Sequence, residues 1–339
     1  MLAYTIRRIL LAIPIFFGVS LLVWAIVTTN PDGGPLSTFL SKHQGQIYTQ
    51  AQIDAFKHSI GLDRSLPEQY LIWVRNLLQG NLGNSFVTHV SVGQSIQERI
   101  APTLLLVGTS YLLQLFIAIP LGIYSAVRRG TIIEQFITVV TYVAFSLPTF
   151  WVGLVALIIF SVQLGWFPVL GIVDLRTTGA SFGTPEYWVY FHAHTLTAIL
   201  DIAHHIALPA SILALVSIAG DSRFMRAQML EVLDQDYVRT ARAKGLSNRA
   251  VLFKHALRNA MLPEITNIGL SIPGLLAGAI VTEQIFSWPG MGRLYVQAAQ
   301  NYDYPVIVAY VMILAALLLI FNIITDLTYA VVDPRIRYS

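Results

Sequence analysis

Cysteine is absent from the 339 residues, which excludes a disulfide framework and any thiolate metal site and leaves the redox compartment unread. Charge is scarce as well: Asp, Glu, Lys and Arg make up 12% of the chain, against about 25% in an ordinary soluble domain. No G-x-x-x-x-G-K-[ST] loop occurs, so the chain is not its own ATPase. The H-E-x-x-H pattern, the nucleophile elbow and an acid pair inside an apolar run are all missing, which argues against an intramembrane hydrolase. Nucleic-acid binding needs a basic face on a soluble fold, and none is present.

What the chain has instead is apolar residue, 55% of the total, gathered into long runs almost free of charge. A soluble core would scatter such residues at helical or strand period. A helix crossing the hydrocarbon needs roughly 20 of them in succession. Six stretches qualify: Ile9 to Thr28, Thr103 to Val127, Phe136 to Leu164, Ile206 to Gly220, Ile265 to Phe286 and Val306 to Leu327. The first follows Arg7 and Arg8 like a secretory signal, but its run exceeds the roughly 7 to 15 residues of a signal core and no cleavage site follows. It reads as a retained helix. The expected fold is therefore an all-α membrane protein with six transmembrane helices.

Lys and Arg resist translocation, so their placement orients the spans. The loops holding Arg7, Arg8, Arg128, Arg129, Arg223, Arg226, Arg239, Arg242, Lys244, Arg249, Lys254, Arg258, Arg335 and Arg337 take fourteen of the 21. The opposite, longer loops hold Lys42, Lys57, Arg64, Arg75, Arg99, Arg176 and Arg293. Both termini and the loop after the fourth span are expected in the cytoplasm. Outside, residues 29 to 100 carry Ile53, Phe56 and Ile60, then Tyr70, Trp73, Val74 and Leu77, at helical spacing. This predicts two short amphipathic helices separated by Gly61 to Pro67, packing over the first spans. The chain divides into 1–100, the first span with this extracytoplasmic segment, and 101–339, a five-helix core with a cytoplasmic loop at about 221–263.

That loop contains DQDYVRTARAKGLSNRAVLFKHALRNAMLP, residues 234 to 263, which reads as helix, break, helix. Ala241 and Ala243 with Arg239, Arg242 and Lys244 favour helix. Gly245 suits the left-handed position past a helix end, and Ser247 suits the next N-cap. Pro263 is placed at the start of the fifth span, where its missing N–H costs nothing. A basic helix with small side chains is what a membrane subunit needs to be gripped by a soluble motor. A loop attracted to anionic lipid is the alternative, although that would require neither the glycine nor the break.

YVRTARAKG (Tyr237 to Gly245) with HALRNAMLP (His255 to Pro263) resembles the ATPase-docking loop of ABC importer permeases, in the version of the B-type permeases of dipeptide and oligopeptide importers. RRILLAIPIFFGVSLLVWAIV at 7–27, GLDRSLPEQYLIWVRNLLQGNLGNSF at 61–86, AGAIVTEQIFSWPGMGRL at 277–294, DYP at 303–305 and DPRIR at 333–337 resemble the same family in the same order. Two departures stand out. Arg239 and Thr240 replace the Glu-Ala that opens the general motif, and NPDGGP (Asn30 to Pro35) replaces the usual turn after the first span.

The resemblance implies a type I importer permease (MetI-like) fold in a bacterial or archaeal cytoplasmic membrane. It implies a non-catalytic subunit translocating dipeptides or oligopeptides, with nickel, glutathione or oligosaccharide as alternative cargo. The implied partners are a homologous C-type permease, two ABC ATPases that bind the ATP and Mg, and an extracytoplasmic substrate-binding protein. Carried over onto matching positions, Arg239, Thr240, Ala241, Arg242, Ala243, Lys244, Gly245 and Leu246 form the coupling helix.

Pro273, Gly274, Gly278 and Glu283 are candidates for the translocation path or gate, with static packing as the equal alternative; Gly269, Pro120, Gly122 and Pro148 pose the same choice. Among acidic residues, only Glu283 and Asp326 fall within the spans, near their ends, which speaks against a proton-coupled carrier. His192, His194, His204 and His205 with Asp201 could suit zinc or nickel, but HAH turns its rings to different helix faces, so no metal site is assigned. A stand-alone channel or intramembrane enzyme is the rival from another class.

Overall fold

The computed structural model describes residues 2–29, 49–59 and 61–332; within these, side chains at 2–4, 29, 56, 59, 266, 268, 270–274, 277–278 and 328–332 lie outside the description. The motifs at Asn30 to Pro35 and 333–337 fall outside it too. Every regular element among the described residues is helical. In order these are α1 (Leu2–Thr29), α2 (Gln50–Ser59), α3 (Leu66–Leu78), α4 (Val92–Val127), α5 (Ile132–Ser146) and α6 (Thr149–Ala156), which continues as a π-helical stretch, Leu157–Gln163. There follow α7 (Leu175–Thr178), α8 (Pro185–Ala193), α9 (Thr195–Leu233), α10 (Asp236–Ala243) and α11 (Asn248–Ala250). A second π-helical stretch, Val251–Leu257, runs straight into α12 (Arg258–Ile285), and α13 (Met291–Gln300) and α14 (Tyr304–Val332) complete the series.

The expectation of six transmembrane helices is corrected. Among the described residues four helices are long and apolar enough to cross a membrane, within α1, α4, α9 and α14, or five if one bent pair counts as a span. The bent pair is the expected third span. It breaks by 102° between Ser146 and Thr149. The cause is local: Pro148 cannot donate to the helix and forces its predecessor out of helical conformation, and Leu147 is accordingly extended at φ −82°, ψ 137°. The expected fifth span falls in α12, which is not among the four. Pro263 also departs from expectation, since α12 begins at Arg258 and takes the proline into its interior.

The expected fourth span, Ile206 to Gly220, is the middle of a much longer helix. α9 has 39 residues, and at 1.5 Å per residue extends about 58 Å, roughly twice the hydrocarbon thickness. Its apolar stretch marks the part that needs burial, while Thr195 to His205 and Asp221 to Leu233 continue the helix at either end.

The chain folds as two compact units, one of Pro102–Pro289 with the chain from Phe321 onward, the other of Leu2–Ala101 with Gly290–Ile320. In the second unit α3 lies against α1. Ser65 and Glu68 form a capping box at its start, and Pro67 occupies the first turn. Tyr70 then reaches α1, its hydroxyl 2.8 Å from Ser20 Oγ and its ring 5.5 Å from that of Trp24. The two short amphipathic helices predicted between the first spans are α2 and α3.

Candidate functional site

In the first unit, the segment expected to dock an ATPase is built by rules that act within a few residues. α10 turns Val238 and Ala241 inward and leaves Tyr237, Arg239, Thr240, Arg242 and Ala243 exposed. Full burial of Val238 alone contributes about 1.5 to 3 kcal/mol. The helix ends in a Schellman motif: Gly245 N–H donates to Arg242 O at 2.9 Å and Leu246 N–H to Ala241 O at 3.4 Å. This requires a left-handed residue, and Gly245 has φ +76°. Two residues on, Ser247 Oγ accepts from Ala250 N–H at 3.3 Å and starts the next helical segment. Arg239 lies 3.5 Å from Asp236 at the surface, a pair worth little in water.

Beneath α10, Val238 and Ala241 pack on Val251 of the π-helical stretch, with Val232 and Leu233 of α9 around them. Ala256, from the same stretch, joins Met225 and Met229 of α9, Ala126 of α4 and Ala260 of α12 in a second cluster. An unbroken series of packed side chains thus leads from α10 through residues 251–257 to three long helices. π-Helical geometry is uncommon and costs regular hydrogen-bonding register, which makes this junction the natural place for deformation. Close approach tightens the far end: a Cβ at Gly122 would lie 2.6 Å from Ser222 O and 2.7 Å from Met225 Cβ. Gly122 is a packing glycine.

α5 is fastened to α9 by charge. Arg226 reaches Glu134 at 2.7 Å, and the Arg223 guanidinium lies over the rings of Tyr142 and Phe145, 4.7 and 4.3 Å from their centroids.

The same unit contains buried acidic groups that the apolar runs do not announce. Asp221 of α9 is buried and accepts hydrogen bonds from Gln114 of α4 and, at 3.0 Å, from Asn267 of α12. Glu264 of α12 is fully buried, and neither of its carboxylate oxygens has a hydrogen-bond partner among the described residues. The apolar stretches Ile206 to Gly220 and Ile265 to Phe286 each stop one residue short of these acids, so hydropathy alone places both outside the spans. The spacing of Asp221, Glu264 and Asn267 against the apolar runs was the available signal. The case against a proton-coupled carrier therefore cannot rest on an absence of buried acids.

Of the candidate path residues, Pro273, Gly274 and Gly278 belong to α12 at positions whose side chains lie outside the description. Glu283 is fully buried and accepts from Thr103 Oγ1 at 2.6 Å, beside Trp288, whose indole N–H donates to Pro102 O at 2.9 Å. That is a packed environment. The histidines separate: His205 Nδ1 lies 2.8 Å from Asp201 O, His204 Nε2 lies 2.8 Å from Trp166 O, and His194 stacks on Tyr190. Among the described residues no three His, Cys, Asp or Glu side chains are grouped to hold a metal ion.

In the second unit, Asp303 ties two distant segments together. It accepts from Ser85 Oγ and, at 2.9 Å, from Phe86 N–H, which fixes the loop after α3 to the start of α14. The Asp-Tyr-Pro and Asn-Ser-Phe stretches are partners in one structural joint.

Comparison with known proteins adds to this geometry. The family described as "Binding-protein-dependent transport system inner membrane component" matches residues 118–338, and its N-terminal counterpart matches residues 1–107. Over the whole of both chains, the protein is 42% identical to the oligopeptide transport system permease protein AppB of Bacillus subtilis. It is 39% identical to the di/tripeptide transport system permease protein DppB of Pseudomonas aeruginosa and 38% to the dipeptide transport system permease protein DppB of Escherichia coli, again over the whole of each chain. In structure it resembles the MetNI methionine ABC transporter in an inward-facing conformation, with TM-score 0.52 and 15% identity, across 69% of this chain and 94% of that one. At that identity the likeness speaks for the fold alone, an all-α ABC-permease fold.

Proposed function

Since this chain belongs to the family of binding-protein-dependent transport system inner membrane components, we propose that it is the permease subunit of an ATP-binding-cassette importer of dipeptides and oligopeptides. End-to-end identity with three named peptide permeases carries this reading. The chain is a transport subunit in a bacterial inner membrane and performs no catalysis itself. The basic bias of its loops supports placing both termini and α10 in the cytoplasm.

The partners we assign are a second permease, an extracytoplasmic binding protein and two ATPases, which bind the ATP and Mg. Residues 239–246 are the coupling helix in this reading. Arg239, Thr240, Arg242, Ala243, Lys244 and Leu246 offer the gripped surface, Gly245 sets its end, and Ala241 anchors it from beneath. Displacement of α10 would pass through Val238 and Val251 into residues 251–257, and from there into α12 with Pro273, Gly274 and Gly278. We read residues 1–100 as the first span with its extracytoplasmic helices and 101–339 as the driven core. Transport is then a two-state equilibrium of cavity orientation, biased by the state of the ATPases.

Purification in mild detergent tests the assembly: the chain should retain two ATPases and a second permease. Uptake of labelled dipeptide into reconstituted vesicles should be competed by unlabelled di- and oligopeptides. A complex lacking the ATPases, or uptake competed by nickel or glutathione and not by peptide, would contradict the proposal.

A further inference from the structure

A cavity of about 470 Å³ lies within the second unit, in the size range of small-molecule sites. Its walls come from the end of α1 (Trp24, Thr28), from α3 (Trp73, Asn76) and from the joint held by Asp303 (Phe86, Tyr304). Asparagine and glutamine amides line it, and among the described residues no carboxylate does. His58 and Arg64 are its charged or chargeable nitrogen groups. His58 is engaged by Asp63, which lies outside the lining, at 2.7 Å. Arg64, whose charge also acts on Asp63, is the permanently positive group of the lining among the described residues.

Position along α1 says what such a site meets. From Arg8 to Thr28 the helix rises about 30 Å, the thickness of the hydrocarbon core. The cavity therefore opens at the opposite membrane interface from Arg7 and Arg8. Trp24, Tyr70 and Trp73 form a connected aromatic group there, with centroids 5.5 and 6.1 Å apart, the composition of an interfacial belt. On the hydrocarbon side, Phe17 and Leu21 of α1 are 36% and 49% exposed and lie at helical spacing on the same face as Trp24 and Thr28, giving an apolar flank beneath the cavity.

We propose that this cavity holds the headgroup of an anionic phospholipid, its phosphate on Arg64 and its acyl chains along the exposed flank of α1. Guanidinium matches phosphate oxygens in a bidentate arrangement, and the amides of Asn76 and Asn84 supply donors for glycerol and headgroup oxygens. A zwitterionic lipid would bring a second, positive charge to a wall with no described carboxylate to receive it. The site is independent of the importer's cargo: it requires only that α1 crosses the membrane.

The test uses the intact complex, delipidated in detergent and offered phosphatidylglycerol and phosphatidylcholine in equal amounts, with retained lipids read by native mass spectrometry. One phosphatidylglycerol should be kept on this subunit with a preference of roughly five-fold, the factor that one Arg near an anionic lipid surface is worth. Arg64→Ala should abolish the preference, and Arg64→Lys, which keeps the charge, should preserve it. Trp73→Ala should lower occupancy of both lipids. Equal retention of the two lipids by the unaltered protein, or an unchanged preference in Arg64→Ala, overturns the proposal. So does displacement of the bound lipid by a dipeptide in an Arg64-dependent manner, which would mark the cavity as a cargo site.

Discussion

The proposed docking segment and the buried acids of α9 and α12 are both polar, both in the first unit, and built by opposite means. From Asp236 to Ala250 the charged side chains face water, and the backbone is fixed by contacts three to five residues long, such as Gly245 to Arg242 and Ser247 to Ala250. Asp221 is fixed by Gln114 and Asn267, which lie 107 and 46 residues away in sequence. Glu264 is enclosed without any such partner among the described residues. In the proposed reading the first region is a handle whose shape is local and whose work lies outside the chain. The second belongs to the interior, and its changes should appear in stability.

Substitutions can break that contrast or sharpen it. The largest effect is expected in the interior at Gly122. A Gly122→Val side chain meets a backbone carbonyl and Met225 Cβ, neither of which can swing aside, and overpacking of this kind costs about 1 to 3 kcal/mol. Thermal unfolding in detergent should shift down, whereas Gly108→Ala, with nothing within 4 Å of its Cβ, should not shift it.

Next come the acids themselves. Asp221→Leu leaves the amide donors of Gln114 and Asn267 without this acceptor, a loss of about 1 to 3 kcal/mol. Glu264→Gln should be tolerated, because a buried carboxylate with no hydrogen bond is costly to keep ionised and the amide has the same shape. Loss of transport by Glu264→Gln with normal stability would move Glu264 from packing into mechanism.

In the docking segment the effects should be smaller in stability and visible in coupling. Gly245→Leu places a branched side chain in left-handed conformation at about 1 to 2 kcal/mol, which disfavours the gripped shape by roughly tenfold. The chain should still insert and assemble while ATP hydrolysis separates from peptide uptake, and Gly245→Asn should retain coupling. Normal uptake by Gly245→Leu would remove the docking role from this segment. Ser247→Ala, which loses one N-cap bond, should cost about 1 kcal/mol and show as faster amide exchange from 248 to 251.

The smallest effect lies outside both regions. Asp174 caps α7, and its hydrogen bonds from Arg176 N–H and Thr177 hold its carboxyl below the usual value. A depressed folded-state value means that the contribution is present at neutral pH and lost as pH falls through it. Amide protection at residues 176–179 should accordingly drop only in acid.

The difference between the regions also explains which features the chain itself makes legible. Gly245 and Ser247 were legible because each obeys a rule spanning one turn, whereas the inward turn of Val238 and Ala241 was not read from the sequence. The two helices α2 and α3 were legible for the same reason. The third span was not, although Pro148 was in plain view, because a proline inside an apolar run can either kink a helix or end it. Here Leu147 takes the extended option and the chain turns by 102°. Pro263 failed in the other direction: residues 251–257 carry helical structure forward into α12, so the proline falls inside a helix that an N-terminal rule would have started there. Asp221 and Glu264 were missed because hydropathy ends a span at the first acid, while packing encloses that acid when the neighbouring helices continue. The local turns and caps were thus readable, and the interior packed beneath them was not.

Absence of cysteine makes the central claim directly testable. Ala243, exposed on α10, can be replaced by the chain's single cysteine and fitted with a short photoreactive cross-linker in the intact complex, with Val189→Cys on exposed α8 as the control. If α10 is the handle of an ATP-driven permease, illumination should join Ala243→Cys to an ATPase subunit in good yield and leave Val189→Cys unjoined to it. An active complex in which position 243 never captures the ATPase would contradict the account.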